Sequence, residues 1–149
     1  MGTQQILLIV LSVIIVGVAI AVGISMFNSQ AYNANKTAIA ADAQSFGTQV
    51  LQYYKTPESQ GGAGGDSAKM TVANVAGYLG FNEDETGGAG STHISNENGT
   101  YGLSVVAAGT DITITGIGTA TRGGTNPKIV TTVAYATDEV TAVASDYTP

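Results

Sequence analysis

The chain holds one histidine, His93, and no cysteine. Zinc sites built on His or Cys and thiol nucleophiles therefore drop out together. Serines are present, but none lies in a G-x-S-x-G pattern and no general base is evident for any of them. Acids gather at Glu83-Asp84-Glu85, with Glu97 downstream. Such oxygens attract calcium, but the alternating ligands and central glycine of an EF-hand loop are missing, so the segment reads as a solvated acidic loop. Gln60 to Asp66, QGGAGGD, is glycine-rich but lacks the Gly-Lys-Ser/Thr ending of a phosphate cradle, and reads as a connector. Two triplets, Asn35-Lys36-Thr37 and Asn98-Gly99-Thr100, match the N-glycosylation pattern. Asn98 is the better acceptor because it falls in an expected loop; surface Thr and Ser hydroxyls are another route for sugars. The expectation is a chain with no catalytic residues, no cofactor and no metal, and so not an enzyme.

The elements around these residues begin with Ile6 to Phe27, ILLIVLSVIIVGVAIAVGISMF, uncharged and polar only at Ser12 and Ser25. As a helix it spans about 33 Å, enough to cross a bilayer core. Its β-branched residues favour strands in water, but in an apolar environment only the helix satisfies every backbone polar group. Three readings are open. A cleaved signal peptide requires a basic n-region and a shorter core, and the first basic residue here is Lys36. An ordinary membrane anchor lacks charged flanks to orient it. The third is a processed protein whose basic leader has gone and whose helix leaves the membrane to pack against its own kind. Gly17 and Gly23 inside the run have two readings: the ordinary glycine content of membrane helices, or close helix approach with local flexibility, which predicts some loosening there in an assembled protein.

Charge divides the chain. Net charge is −6. Residues 1–55 hold Lys36, Lys55 and Asp42, net +1, whereas residues 56–149 hold three basic and ten acidic residues, net −7. An acidic head argues against nucleic acid as a primary partner and fits a solvated surface.

From Asn28 to Tyr54 neither proline nor a turn dipeptide interrupts the helix. Small apolar residues recur at helical spacing: Ala31, Ala34, Ala38, Ala41 and Ser45, then Phe46, Val50, Leu51 and Tyr54, with Asn33, Lys36, Asp42 and Gln49 between. One helix over about 4–55 is expected, with Thr3 as N-cap, Gly47 as its weak point and a stop before Pro57. Ser67 to Leu79 reads as a short helix capped by Asp66 or Ser67, with Met70, Val75 and Leu79 inward and Gly80 at its end. Asn82 to Gly102 reads as a long loop. Tyr101–Ala107, Asp111–Gly118, Lys128–Ala136 and Glu139–Ala144 read as strands of an antiparallel meander. The fold class is α+β: a long N-terminal helix packed on a C-terminal antiparallel sheet of about four strands. Ile112 and Ile114 form the buried face, set against the second half of the helix. The organisation is 1–27 apolar helix half, 28–55 amphipathic half and 56–149 head.

A polar lead-in (MGTQQ), an apolar stretch, a continuous amphipathic helix, an irregular loop and an antiparallel sheet together resemble type IV pilins and related filament subunits. In sequence the resemblance is confined to the N-terminal third. It implies that a prepilin peptidase removes a basic leader and that the new N-terminal residue, matched by Met1, is methylated. The family usually carries glutamate at the fifth mature residue, where its carboxylate meets a neighbour's N-terminal ammonium; this chain has Gln5. The family's helix-breaking proline is absent, Val22 lying between Ala21 and Gly23, and so is the C-terminal disulfide loop.

The resemblance implies a major pilin polymerising through a core that includes Gln5, Ile6, Leu7, Leu11, Ile15, Gly17, Gly23 and Phe27. Its partners are identical subunits in a helical homopolymer, the membrane before assembly, and the peptidase and assembly machinery. Its location is an extracellular filament used in adhesion, motility or surface attachment. Two further readings are a single-pass anchored surface protein with a ligand-binding head, and a minor pseudopilin of a secretion or DNA-uptake machine. A 56–149 fragment is expected to be soluble.

Overall fold

A computed structural model describes residues 2–81, 92–105 and 111–149. Helix α1 runs unbroken from Gly2 to Lys55, 54 residues, a rod of about 81 Å. It ends where expected, before Thr56-Pro57. Thr56 closes it by donating its hydroxyl to the Gln52 carbonyl at 2.7 Å. Thr3 lies inside the helix, not at its cap. Gly17 and Gly23 leave the helix of the single chain continuous.

Two short 3-10 turns, Glu58–Gln60 and Ser67–Lys69, lead to helix α2, Val72–Leu79. The expected single helix from Ser67 is thus split in two. Asp66 caps the turn, accepting from the Ala68 amide, while Thr71 adopts an extended backbone and its hydroxyl accepts from the Asn74 amide at 3.3 Å. Met70 and Val75 are buried and Leu79 is half-buried. Gly80, at φ 77°, ends the helix in the left-handed conformation that glycine adopts freely.

The sheet has five strands, β1 His93–Ser95, β2 Gly99–Val105, β3 Asp111–Gly118, β4 Asn126–Ala134 and β5 Glu139–Tyr147, in the order β1-β2-β3-β4-β5 and antiparallel throughout. The additional strand, β1, lies in the stretch read as loop. Its three residues are too few to show an alternation, and only pairing with β2 (Ile94 opposite Tyr101) makes them a strand. β4 starts two residues early because Pro127 lies beyond the β3 pairing, where its missing N–H costs nothing on that side.

Ile112 and Ile114 face the helix, with Thr113 and Thr115 on the other side. The helix face that meets them is not the alanine stripe. Tyr32, Ile39, Ala43, Gly47, Val50 and Tyr53 are buried, whereas Ala31, Ala34, Ala41 and Ser45 are exposed. Both sets repeat at helical spacing. Burial scales with apolar area, so the sheet takes the face carrying Tyr32, Ile39 and Val50 over the one carrying alanines. Gly47 sits at a close approach of helix to sheet, where an added Cβ would lie 2.9 Å from Val140 Cγ1 and 3.3 Å from Val133 Cγ2. It is a packing requirement there as well as a low-propensity residue. Residues 28–55 and the head share one core, which joins Ile39, Val50 and Tyr53 to Met70, Val75, Leu103, Ile112, Ile114 and Val133. A 56–149 fragment would bare the sheet side of that core.

Candidate polymerisation surface

From Gly2 to Val22 every α1 residue is exposed, and the large apolar side chains onward to Phe27 stay between 50% and 79% accessible. Among the described residues no head element buries them; only the β3–β4 turn comes beside the end of the run, at Ala21, Ile24 and Ser25. The most apolar window of α1 has a mean hydropathy of 3.2 and none of it is buried. In length and composition this half can cross a membrane. Ser12 donates its hydroxyl to the Ile9 carbonyl at 2.8 Å, so its polar group is satisfied inside the helix and suits an apolar surround. Ile6, Leu7 and Leu11 line one side of the rod with Val10 and Ile14. Gln5 and Ile15 are exposed too. A Cβ added at Gly17 or Gly23 would meet nothing within 4 Å, so in the single chain neither glycine answers to a neighbour. Met1 lies outside the described residues.

Above Phe27 the helix changes environment within two turns. Tyr32 is buried, and its hydroxyl donates to Asp146 Oδ1 at 2.6 Å. Lys36 Nζ lies 3.2 Å from the same oxygen. The Arg122 guanidinium stacks on the Tyr32 ring, 4.6 Å from its centroid. The Asp146 carboxyl is held below its ordinary value by the Tyr32 hydroxyl and then by Lys36, with Arg122 contributing least. Burial first, and the Asp146 hydrogen bond second, push the Tyr32 phenol up.

Asp42 is the second fixed point. Its Oδ2 accepts from Asn96 at 2.9 Å, Asn98 at 2.8 Å and Tyr101 at 2.7 Å. Burial alone would raise the Asp42 pKa, but the hydrogen bonds from Asn98, Tyr101 and Asn96 outweigh it and leave the carboxyl below its ordinary value. Tyr101 is pushed far up, by burial and then by Asp42. The carboxylate thereby ties the β1–β2 turn to α1. The sequence signal for it was a lone acid inside a long helix, with donors at Asn96, Asn98 and Tyr101; Asp42 read instead as an outward polar residue.

Both glycosylation candidates have their amide nitrogens committed. Asn98 lies in the tight β1–β2 turn with its Nδ2 on Asp42. Asn35 donates to the Asn98 carbonyl at 2.8 Å and accepts from the Ala120 amide at 3.2 Å. A glycan on either would have to break these bonds. His93 is buried and neither ring nitrogen has a hydrogen-bond partner among the described residues. The acids Glu83 to Glu85 lie outside the described residues, and Glu97 is exposed. Among the described residues no cluster of three His, Cys, Asp or Glu side chains could hold a metal. The cleft between α1 and α2, lined by Tyr53, Gln60, Asn74 and Tyr78, carries no carboxylate and no imidazole.

A bare apolar half and an anchored amphipathic half of one helix, packed on an antiparallel sheet, make a type IV pilin-like architecture. The chain matches no family model, no curated protein and no solved structure.

Proposed function

We propose that the chain is the structural subunit of an extracellular helical filament, held in a membrane before assembly and polymerised through Ile6 to Phe27. The supporting observation is the uninterrupted rod: its apolar half is bare, and its other half is locked into the head. A large apolar side chain gains about 1.5–3 kcal/mol on full burial, so covering this half stabilises an assembly by roughly tens of kcal/mol gross. Lipid supplies that cover at first and copies of the same helix supply it afterwards. A prepilin peptidase, methylation at Met1 and an assembly machine belong to this reading. Gln5 accepts a hydrogen bond but cannot neutralise an N-terminal ammonium, so the amine in the filament is to be held by carbonyls. The head forms the outer surface used for adhesion, motility or attachment.

The test changes Leu11→Asp or Ile15→Asp in the full chain and images material sheared from cells. A carboxylate in the helix bundle costs several kcal/mol per subunit, so the expected outcome is loss of filaments with the head still folded by circular dichroism. Filaments of normal number and length in both variants would overturn the reading. Native protein dispersed in membranes with no ordered polymer would replace it with a single-pass surface anchor.

A further inference from the structure

Where the apolar run ends, the β3–β4 turn comes down beside the helix. It forms a cleft of about 400 Å³ with an apolar floor at Ala21 and Ile24 and a rim of Ser25, Asn28, Ser29, Thr121 and Arg122. We infer that this cleft is a headgroup site for an anionic phospholipid, occupied while the subunit is in the membrane. The inference rests on the membrane-inserted stage proposed above.

Depth is the first argument. Ile6 to Phe27 spans about 33 Å against a hydrocarbon core of about 30 Å, so Phe27 comes at the edge of the core. Ser25 to Ser29 covers about one helical turn, which matches the thickness of the headgroup layer. The side chains at its rim are hydroxyls, an amide and a guanidinium, the groups that donate to phosphate oxygens, while Ala21 and Ile24 below them are apolar, as the start of an acyl chain requires.

Charge is the second argument. Arg122 is not spent on a salt bridge among the described residues, and its position is fixed by the Tyr32 ring beneath it. Lys36 and Arg122 flank one carboxylate, Asp146, so this collar has a cation in excess on a chain of net charge −6. At the opposite end of the head stand Glu58, Asp66, Asp111, Asp138 and Glu139, beside the end of α1 where Lys55 bonds Asp138 at 2.7 Å. These five acids are thus held away from the membrane, and the cationic end faces it.

The test uses the full chain in vesicles of phosphatidylcholine with phosphatidylglycerol. Because no native cysteine interferes, single fluorophores can be placed at Val16→Cys, Thr119→Cys and Ala136→Cys. Nitroxide lipids then report depth. The expected result is quenching of the 16 label from the acyl chain, of the 119 label from the headgroup, and of the 136 label from neither. At the 119 label, headgroup-labelled phosphatidylglycerol is to quench in preference to labelled phosphatidylcholine by about fivefold, the bias one surface cation gives. Arg122→Gln should bring that preference near unity with the 16 label unchanged. A 119 label as dry of lipid as the 136 label, with the 16 label still deep, would overturn the site and leave the membrane stage standing. A 16 label in water would remove the membrane stage itself. Equal preference in the native chain and Arg122→Gln would overturn the role of Arg122. Displacement of the labelled lipid by excess inorganic phosphate would make the cleft a free-anion site. Loss of quenching as the protein packs more densely, at fixed lipid composition, would assign the cleft to a second copy of the chain.

Discussion

From Gly2 to Phe27, α1 exposes every large apolar side chain it carries; from Asn28 to Lys55 it buries Tyr32, Ile39, Val50 and Tyr53 against the sheet. The backbone is the same and so is its regularity. The halves differ in where their partner is found. The upper half meets its partner inside the chain, so its residues are specific in shape: a glycine at a close approach, large side chains on one face, a carboxylate opposite three donors. The lower half has no such partner, so its residues are interchangeable aliphatics arranged all round the rod. On the reading proposed above, a surface covered first by lipid and then by copies of itself requires apolarity on every side more than a particular shape.

The sharpest way to break this comparison is to make one change in both halves. Gly47→Leu forces a side chain into the gap filled by Val140, Val133 and Thr131. Overpacking at a tight backbone contact is expected to destabilise the head by about 3 kcal/mol. A Cβ at Gly17 meets nothing within 4 Å, on a turn of α1 whose residues are all exposed, so Gly17→Leu should leave head unfolding unchanged. Urea titrations of the full chain in detergent, followed by near-ultraviolet circular dichroism, measure both. Equal effects would show that the halves are not independent in the way their packing says.

This asymmetry also marks what could be read before the fold was known. The apolar run, the stop before Pro57, the Ile112/Ile114 face and the antiparallel meander follow from period and turn chemistry, which are local. The buried face of α1 followed only in its last turns, where Val50 is buried and Phe46, Leu51 and Tyr54 pack against the core; before them it did not. Alanines at 31, 34, 38 and 41 keep helical spacing as faithfully as Tyr32, Ile39 and Ala43, and only the sheet decides between them. Strand β1 and the Asp42 clamp were hidden for a related reason: each exists through a partner some residues away in sequence, Ile94 with Tyr101, Asp42 with Asn98. Of the bare half of α1, the apolar residue types were legible and their bareness was not, since exposure is a property of what packs elsewhere.

A second, smaller effect concerns charge on the rod. Asp42 is the one acid in α1, and it is tolerated because the head brings it Asn96, Asn98 and Tyr101. Asp42→Ala leaves those donors without their acceptor, at an expected cost of about 2 kcal/mol. Acid should weaken the same contact by titration. The folded carboxyl lies below its ordinary value, so its contribution is complete above the unfolded pKa of about 3.9 and disappears as pH falls through the lower folded value. Asp42→Asn should therefore flatten the fall of stability below about pH 4. An unchanged acid slope in Asp42→Asn would sink the clamp. The contrast with Leu11→Asp is direct: a carboxylate on the lower half has no donors waiting for it.

The smallest effect lies at the helix–sheet contact around Gly47. Thr131 is fully buried on β4, and its hydroxyl has no hydrogen-bond partner among the described residues. Its methyl group lies 3.5 Å from where a Cβ on Gly47 would stand. Thr131→Val preserves shape and removes an unsatisfied hydroxyl, so the head should gain about 1 kcal/mol. In the lower half a valine is already ordinary: Val10, Val13, Val16 and Val18 stand in the open. If Thr131→Val instead lowers stability, the hydroxyl has a partner that forms in solution, and the helix–sheet contact is wetter than its packing implies. If it raises stability, the upper half has been moved one step toward the aliphatic character of the lower half at no cost to fit. The separation between the halves then lies in the geometry around Gly47 and in the Asp42 bonds.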